Sequence, residues 1–261
     1  MSADSRWDDL RTRVISGVAM IIVGVAGVAA GGVWFQMLTV FVTAVMIWEL
    51  WMMIEPTKSV PGMLLAAGTA SVLSGLFFEP GIIAFALAPP IVGALALRRE
   101  RLTFALFALA IIFAGWELVV FRSAYGTVWI FWLIIVVVMT DVAGYFAGRM
   151  LGGPKFWPRV SPKKTWSGTV AGWIGAAIVG VIFMSVTETG AGLILASVLV
   201  SFASQLGDIA ESALKRRMKV KDSSTLIPGH GGLFDRFDGL LGASLMMLIV
   251  APFVITTGAA S

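Results

Sequence analysis

Long apolar runs, each closed by a short polar stretch, recur from residue 14 to residue 257. Runs of roughly 17 to 25 residues are long enough to cross a ~30 Å hydrocarbon core as helices. They predict nine spans, near 14–30, 32–54, 60–77, 80–97, 102–120, 125–148, 168–186, 190–214 and 240–257. A membrane β-barrel would show alternating segments of ~10 residues instead, and the pattern contains none. The expected fold is therefore all-α, a polytopic integral membrane protein. The first run follows a charged start, "MSADSRWDDLRTR". At about 17 residues it exceeds the apolar core of a cleaved leader, so it reads as a retained helix.

Composition agrees with that pattern. Hydrophobic residues make up 58% of the 261 and charged residues only 13%, where a soluble domain has about a quarter charged. The absence of cysteine excludes disulfides, thiolate metal sites and cysteine nucleophiles. Basic residues then orient the chain, because loops rich in Lys and Arg stay cytoplasmic. With the N-terminus inside, 18 of the 19 basic residues fall in inner segments, and only Arg122 lies outside. An odd number of spans puts the C-terminus outside, across the inner (plasma) membrane. The net charge of +4 thus reflects topology and an affinity for anions. No basic and aromatic platform for nucleic acid is present.

Polarity divides the chain unevenly. Residues 1–135 are mostly hydrophobic helices, the first five and the start of the sixth. Residues 136–261 form the expected catalytic region, with cytoplasmic loops at 149–167 and 215–239. Ionisable groups at membrane depth are expensive and normally face a cavity or a bundle interior. Five acids qualify: Glu49, Glu117, Asp141, Asp208 and Glu211. Ser201, Gln205, Asp208, Ser212 and Lys215 recur at helical spacing with Glu211 beside them, so they share one face of span eight. Such a stripe fits a polar cleft open to the cytoplasm; interhelical hydrogen bonding is the other reading, and Ser201 and Gln205 suit either. Gly144 and Gly148 share a face with Asp141 and read as close helix packing. Glu117 can pair with Arg122 near the outer face, and Glu49 can reach toward the inner one; neither acquires a role.

Two loops hold the densest chemistry. "VSPKKTWSG" (160–168) offers Lys163 and Lys164 flanked by Ser161 and Thr165, ahead of a helix N-terminus that favours phosphate. "KDSSTLIPGHGGLFDRFDG" (221–239) holds three aspartates, the only histidine and glycines that permit positive φ. Acidic oxygens without cysteine suit a hard cation such as Mg²⁺ better than Zn²⁺. Lys and Arg beside such carboxylates are the components of phosphoryl or nucleotidyl transfer. No P-loop motif is present. These residues point to a membrane enzyme acting on a phosphorylated lipid, without naming the nucleotide.

The stretch "SALKRRMKVKDSSTLIPGHGGLFDRFD" (212–238) resembles the signature of the phosphatidate cytidylyltransferases, or CDP-diacylglycerol synthases, at every fixed position. "SPKKTW" and "GDIAES" are similar to the same family, whereas Ser167 stands where that family is expected to carry Glu. The resemblance is specific over about 141–239. It implies transfer of CMP from CTP to phosphatidate with release of pyrophosphate, and a homodimer. It places the metal-binding aspartates at Asp208 and Asp235, with Mg²⁺, and admits a second, monovalent cation such as K⁺. Because two acids at the membrane edge repel unless a cation joins them, the two aspartates are expected to share one Mg²⁺ site. Catalytic candidates are Asp208, Asp235, Asp238, Lys221, His230 and Arg236. Candidates for holding substrate are Ser161, Lys163, Lys164, Thr165, Ser212, Lys215, Arg216 and Asp141. Two other classes stay open: a transporter of an anionic substrate, and another lipid-phosphate enzyme such as a polyprenol kinase.

Overall fold

The computed structural model describes residues 3–187 and 189–254. The last three positions of the expected ninth span, 255–257, and Ser261 lie outside the described residues. The order of elements is α1 (Ala3–Ala30), α2 (Gly32–Ile54), α3 (Ser59–Phe78), a 3-10 helix (Pro80–Leu87), α4 (Ala88–Ala96), α5 (Arg101–Tyr125), α6 (Thr127–Met150), strands β1 (Lys155–Trp157) and β2 (Ser161–Thr165), α7 (Trp166–Thr187), α8 (Gly192–Met218) and α9 (Phe234–Val254). Among the described residues, seven helices are long and apolar enough to cross a membrane: α2, α3, α5, α6, α7, α8 and the Leu10–Ala30 part of α1. The protein is an all-α, multi-pass membrane protein.

Two elements differ from the expected layout. The fourth span is a 3-10 helix followed by a nine-residue α-helix. Pro89 and Pro90 lack the N–H groups that would bond back into the preceding turn, so a continuous α-helix cannot run through them. The loop at 149–167 contains an antiparallel two-stranded hairpin, with Lys155 opposite Thr165 and Trp157 opposite Ser161.

The chain forms two compact units. The first comprises residues 1–119 and 217–237. Trp51 and Phe104, both buried, meet edge to face at 6.0 Å and join α2 to α5, an arrangement that contributes roughly 0.5–1.5 kcal/mol beyond burial. A Cβ on Gly62 would lie 2.6 Å from the Trp51 ring, so only glycine lets α3 approach there. At the polar end, Arg217 pairs with Glu100 at 2.9 Å. The Thr103 hydroxyl, and after it Arg217, holds the Glu100 carboxyl below its ordinary range.

The second unit comprises 120–216 and 238–261. Between helices in lipid there is little hydrophobic drive, so small residues and hydrogen bonds hold the bundle together. Gly144 and Gly168 bring α6 and α7 into backbone contact, for a Cβ on Gly168 would sit 2.5 Å from the Gly144 carbonyl oxygen. The glycine pair of span six is therefore a packing device. Helix α8 is tied to α6 by Trp132 Nε1–H donating to Ser197 at 3.0 Å and Thr140 to Ser201 at 2.7 Å. It is tied to α7 by Trp173 Nε1–H donating to Gln205 at 3.1 Å and by the Gln205 amide donating to the Thr169 carbonyl at 3.2 Å. Ser201 and Gln205 are thus interhelical links.

Candidate active site

In the first unit the segment 221–236 is a folded loop with a buried anchor. Glu49, in the C-terminal part of the apolar helix α2, has no solvent exposure. Its Oε1 accepts from Ser224 Oγ at 2.6 Å and Leu233 N–H at 3.0 Å; its Oε2 accepts from Phe234 N–H at 2.7 Å and lies 3.3 Å from Ser223 Oγ. The single Ser223 hydroxyl proton has a closer acceptor in Asp235, leaving three strong donors to Glu49. Two of the three are backbone N–H groups at the start of α9, which have no partner within the helix. A carboxylate from a distant helix therefore caps α9. It performs the role that no sequence signal gave Glu49.

Asp235 works from the loop side. Its Oδ2 accepts from Ser223 N–H, Ser223 Oγ and Gly232 N–H, each at 2.8 Å. Gly229 and Gly231 adopt φ of 76° and 84°, and at Gly232 a Cβ would collide with Ser223 and Glu49. The glycines of "PGHGG" thus serve turn and close approach, as their sequence suggests. The loop closes against α1. His230 Nδ1 lies 2.8 Å from Ser16 Oγ, and Ser16 also faces the Thr12, Arg13 and Pro228 carbonyls at 2.9, 3.2 and 3.0 Å. A hydroxyl has one proton and these carbonyls can only accept, so we assign the Nδ1 proton to His230, donating to Ser16. Arg236 Nε–H donates to the His230 carbonyl at 3.0 Å. The result is a cavity of about 400 Å³ lined by Arg13, Lys221, Asp222, His230 and Arg236 among others.

In the second unit a separate cluster gathers on α6, α8 and α9. Asp141 and Asp238 each lie within electrostatic reach of Asp208 and of one another. Lys164, from β2, bridges to Asp208 at 2.5 Å, and Ser212 donates to the other Asp208 oxygen at 3.2 Å. Lys215 pairs with the buried Glu211 at 2.6 Å. Helices α8 and α9 approach closely beside this cluster, because a Cβ on Gly207 or Gly242 would strike the facing backbone. Four carboxylates here face two ammonium groups, and the donors are all oxygen, which fits a hard divalent cation. No three His, Asp or Glu side chains among the described residues stand at ligating geometry.

The remaining expected residues divide by exposure. Lys163 and Arg216 are exposed, and Ser161 is half-buried on β2. Thr165 is buried and acts as the N-cap of α7, accepting from Gly168 N–H at 3.2 Å. Ser167 ties that cap to the 150s loop through Thr165 Oγ1, at 3.0 Å, and the Gly152 carbonyl.

The sequence model of the cytidylyltransferase family matches residues 11–254, nearly the whole chain. The chain belongs to the cytidylyltransferase family. Similar curated relatives are phosphatidate cytidylyltransferases. That of Brucella suis is 46% identical over 127 residues, covering 48% of this chain and 47% of the relative. That of Bacillus subtilis is 43% identical over 120 residues, 45% of each. That of Helicobacter pylori is 38% identical over 133 residues, 50% of this chain and 49% of the relative. The matches span about half the length of these curated relatives. Within this cytidylyltransferase, Glu49 and Ser16, which hold the 221–236 loop, and Arg13, which lines the cavity beside it, are the contacts that sequence reasoning missed. An acid inside an apolar helix was the only signal for Glu49; Arg13 and Ser16 carried none beyond position.

Proposed function

We propose that this cytidylyltransferase transfers CMP from CTP to phosphatidate, giving CDP-diacylglycerol and pyrophosphate in membrane phospholipid synthesis. The observation that carries the reading is the 221–236 loop, which lines a cationic cavity in a multi-pass membrane protein of this family. The relatives' printed activity supports it. A phosphatidate oxygen attacks the α-phosphorus of CTP, a P–O bond forms, and the α–β bridging P–O bond breaks with its electrons leaving on pyrophosphate. Phosphatidate is anionic near neutral pH, so no strong base is required.

We assign metal binding to Asp208 and Asp235, with Asp141 and Asp238 adding negative charge around Asp208. Bound Mg²⁺ would supply charge neutralisation at the phosphate oxygens, and K⁺ is a candidate second cation. Lys163 and Lys164 hold nucleotide phosphates, and Lys215 and Arg216 add to the anion field. Lys221 and Arg236 neutralise phosphoryl charge, while His230, fixed by Ser16, positions the loop.

Purified protein with labelled CTP and phosphatidate should yield chloroform-soluble label and pyrophosphate in equal amounts. With CTP varied, Lys163→Ala and Lys164→Ala should each raise its KM by roughly one to two decades, since each charge-assisted contact contributes ~1.5–3 kcal/mol. Label that stays in water, or appears only with a polyprenol acceptor, sinks the reading.

The basic residues motivate the same orientation as before: N-terminus and both polar loops cytoplasmic, C-terminus external, in the inner membrane. The chain has no cysteine, so single cysteines report topology directly. In intact spheroplasts Gly190→Cys should react with an impermeant maleimide and Lys155→Cys should not. The opposite labelling contradicts the orientation.

A further inference from the structure

The cavity beside His230 is bounded by α1 as well as by the loop, although α1 carries no recognisable motif. Three features pin them together within the first unit. A Cβ at Gly229 would lie 2.6 Å from the Arg13 side chain, Ser16 bonds both His230 and the Pro228 carbonyl, and Gly17 lies under the His230 ring. From Val14 onward, α1 exposes apolar side chains: Val14 is 55% exposed, Ile21 66% and Ile22 61%. The cavity thus opens beside a helix built to face lipid tails, at the level where the apolar run gives way to charge.

We infer that this cavity seats the phosphomonoester of the lipid substrate, with the acyl chains lying along the exposed face of α1. The inference rests on the proposed activity and assigns one substrate to one site. Charge is matched to the lipid phosphate. Three cations, Arg13, Lys221 and Arg236, face one acid, Asp222, and a phosphomonoester carries about −1.5 to −2 near pH 7. Size agrees, because about 400 Å³ falls in the ordinary range for small-ligand pockets. Access agrees too: a lipid reaches Arg13 by lateral diffusion without leaving the bilayer, whereas CTP has no need of an apolar approach.

The test measures equilibrium binding of dioctanoyl phosphatidate, dioctanoylglycerol and CTP to the full chain in detergent. Arg13→Gln should weaken phosphatidate about ten- to a hundredfold and leave CTP within about twofold. Wild type should bind dioctanoylglycerol far more weakly, because it lacks the phosphate. Gly17→Leu, which crowds the His230 ring without removing charge, should also weaken phosphatidate and gives an independent reading if Arg13→Gln melts early. Unchanged phosphatidate affinity in both variants overturns the assignment. A loss of CTP affinity instead hands the cavity to the nucleotide and also overturns it. Turnover separates the two ideas. Arg13-dependent lipid binding without CDP-lipid formation defeats the activity and keeps the site; normal turnover with unaltered lipid binding does the reverse.

Discussion

Asp208→Asn should abolish turnover, by on the order of a thousandfold or more, in a protein that still folds. Asn keeps the size and still accepts the Ser212 hydroxyl, but it removes the negative charge. In the second unit Asp208 is the carboxylate that both Asp141 and Asp238 face and that Lys164 bridges. Losing one anionic ligand to a metal that offsets phosphoryl charge forfeits several kcal/mol, and each 1.36 kcal/mol is a decade in rate. Asp235→Asn separates two roles. Its Oδ2 accepts three loop donors at 2.8 Å; an Asn oxygen, with two lone pairs, can keep the two backbone N–H groups while the Ser223 hydroxyl turns to Glu49, 3.3 Å away. If Asp235 only organises the loop, the variant keeps most of its activity; if it ligates metal, the loss matches that of Asp208→Asn. Activity against Mg²⁺ concentration in purified, folded variants decides the matter. Near-normal turnover with an unchanged metal requirement removes that residue from the metal site.

Glu49→Ala should be the most destructive single change in the first unit. It strands the N–H groups of Leu233 and Phe234 in a site without solvent and takes the acceptor from the half-buried Ser224 hydroxyl. Each unsatisfied buried donor costs about 1–3 kcal/mol, so the loop is expected to detach from α2 and activity to vanish. Glu49→Gln is the sharper probe. One oxygen remains for two donors, but the amide presents hydrogens to the other, so the fold should survive while amide exchange at Leu233 and Phe234 rises and kcat falls at least tenfold. Protection at those two amides equal to wild type in Glu49→Gln would refute the anchoring role.

The contrast between Glu49 and Asp235 shows where sequence reasoning ends. Asp235 lies inside a recognisable glycine-rich segment, and its partners Ser223 and Gly232 are at most 12 residues away. Glu49 meets the same loop across 174 to 185 residues, so its neighbours could not be read from local spacing. Its position in an apolar helix suggested expense, not purpose. Ser201 and Gln205 teach the same point from the other side. Helical spacing placed them on one face, but a cleft and a helix interface present the same stripe. Only their partners, Thr140 on α6 and Trp173 and Thr169 on α7, decide for the interface.

What the chain determines by itself is local and additive. Each apolar run is long enough to span because burial in lipid scales with its own side chains. Pro89 and Pro90 carry the reason for the broken fourth span, although a span was expected across 80–97. The glycine turns of 229–232 and the clustering of Lys163 and Lys164 were equally visible. What only tertiary structure decided is pairing: Glu49 with the start of α9, Lys164 with Asp208, and Arg13 and Ser16 with the His230 loop. A buried polar group must find a partner wherever the packing brings one, and packing between helices depends on small residues such as Gly144 and Gly168 meeting at one point in space. That meeting is a property of the assembled bundle, not of either helix alone.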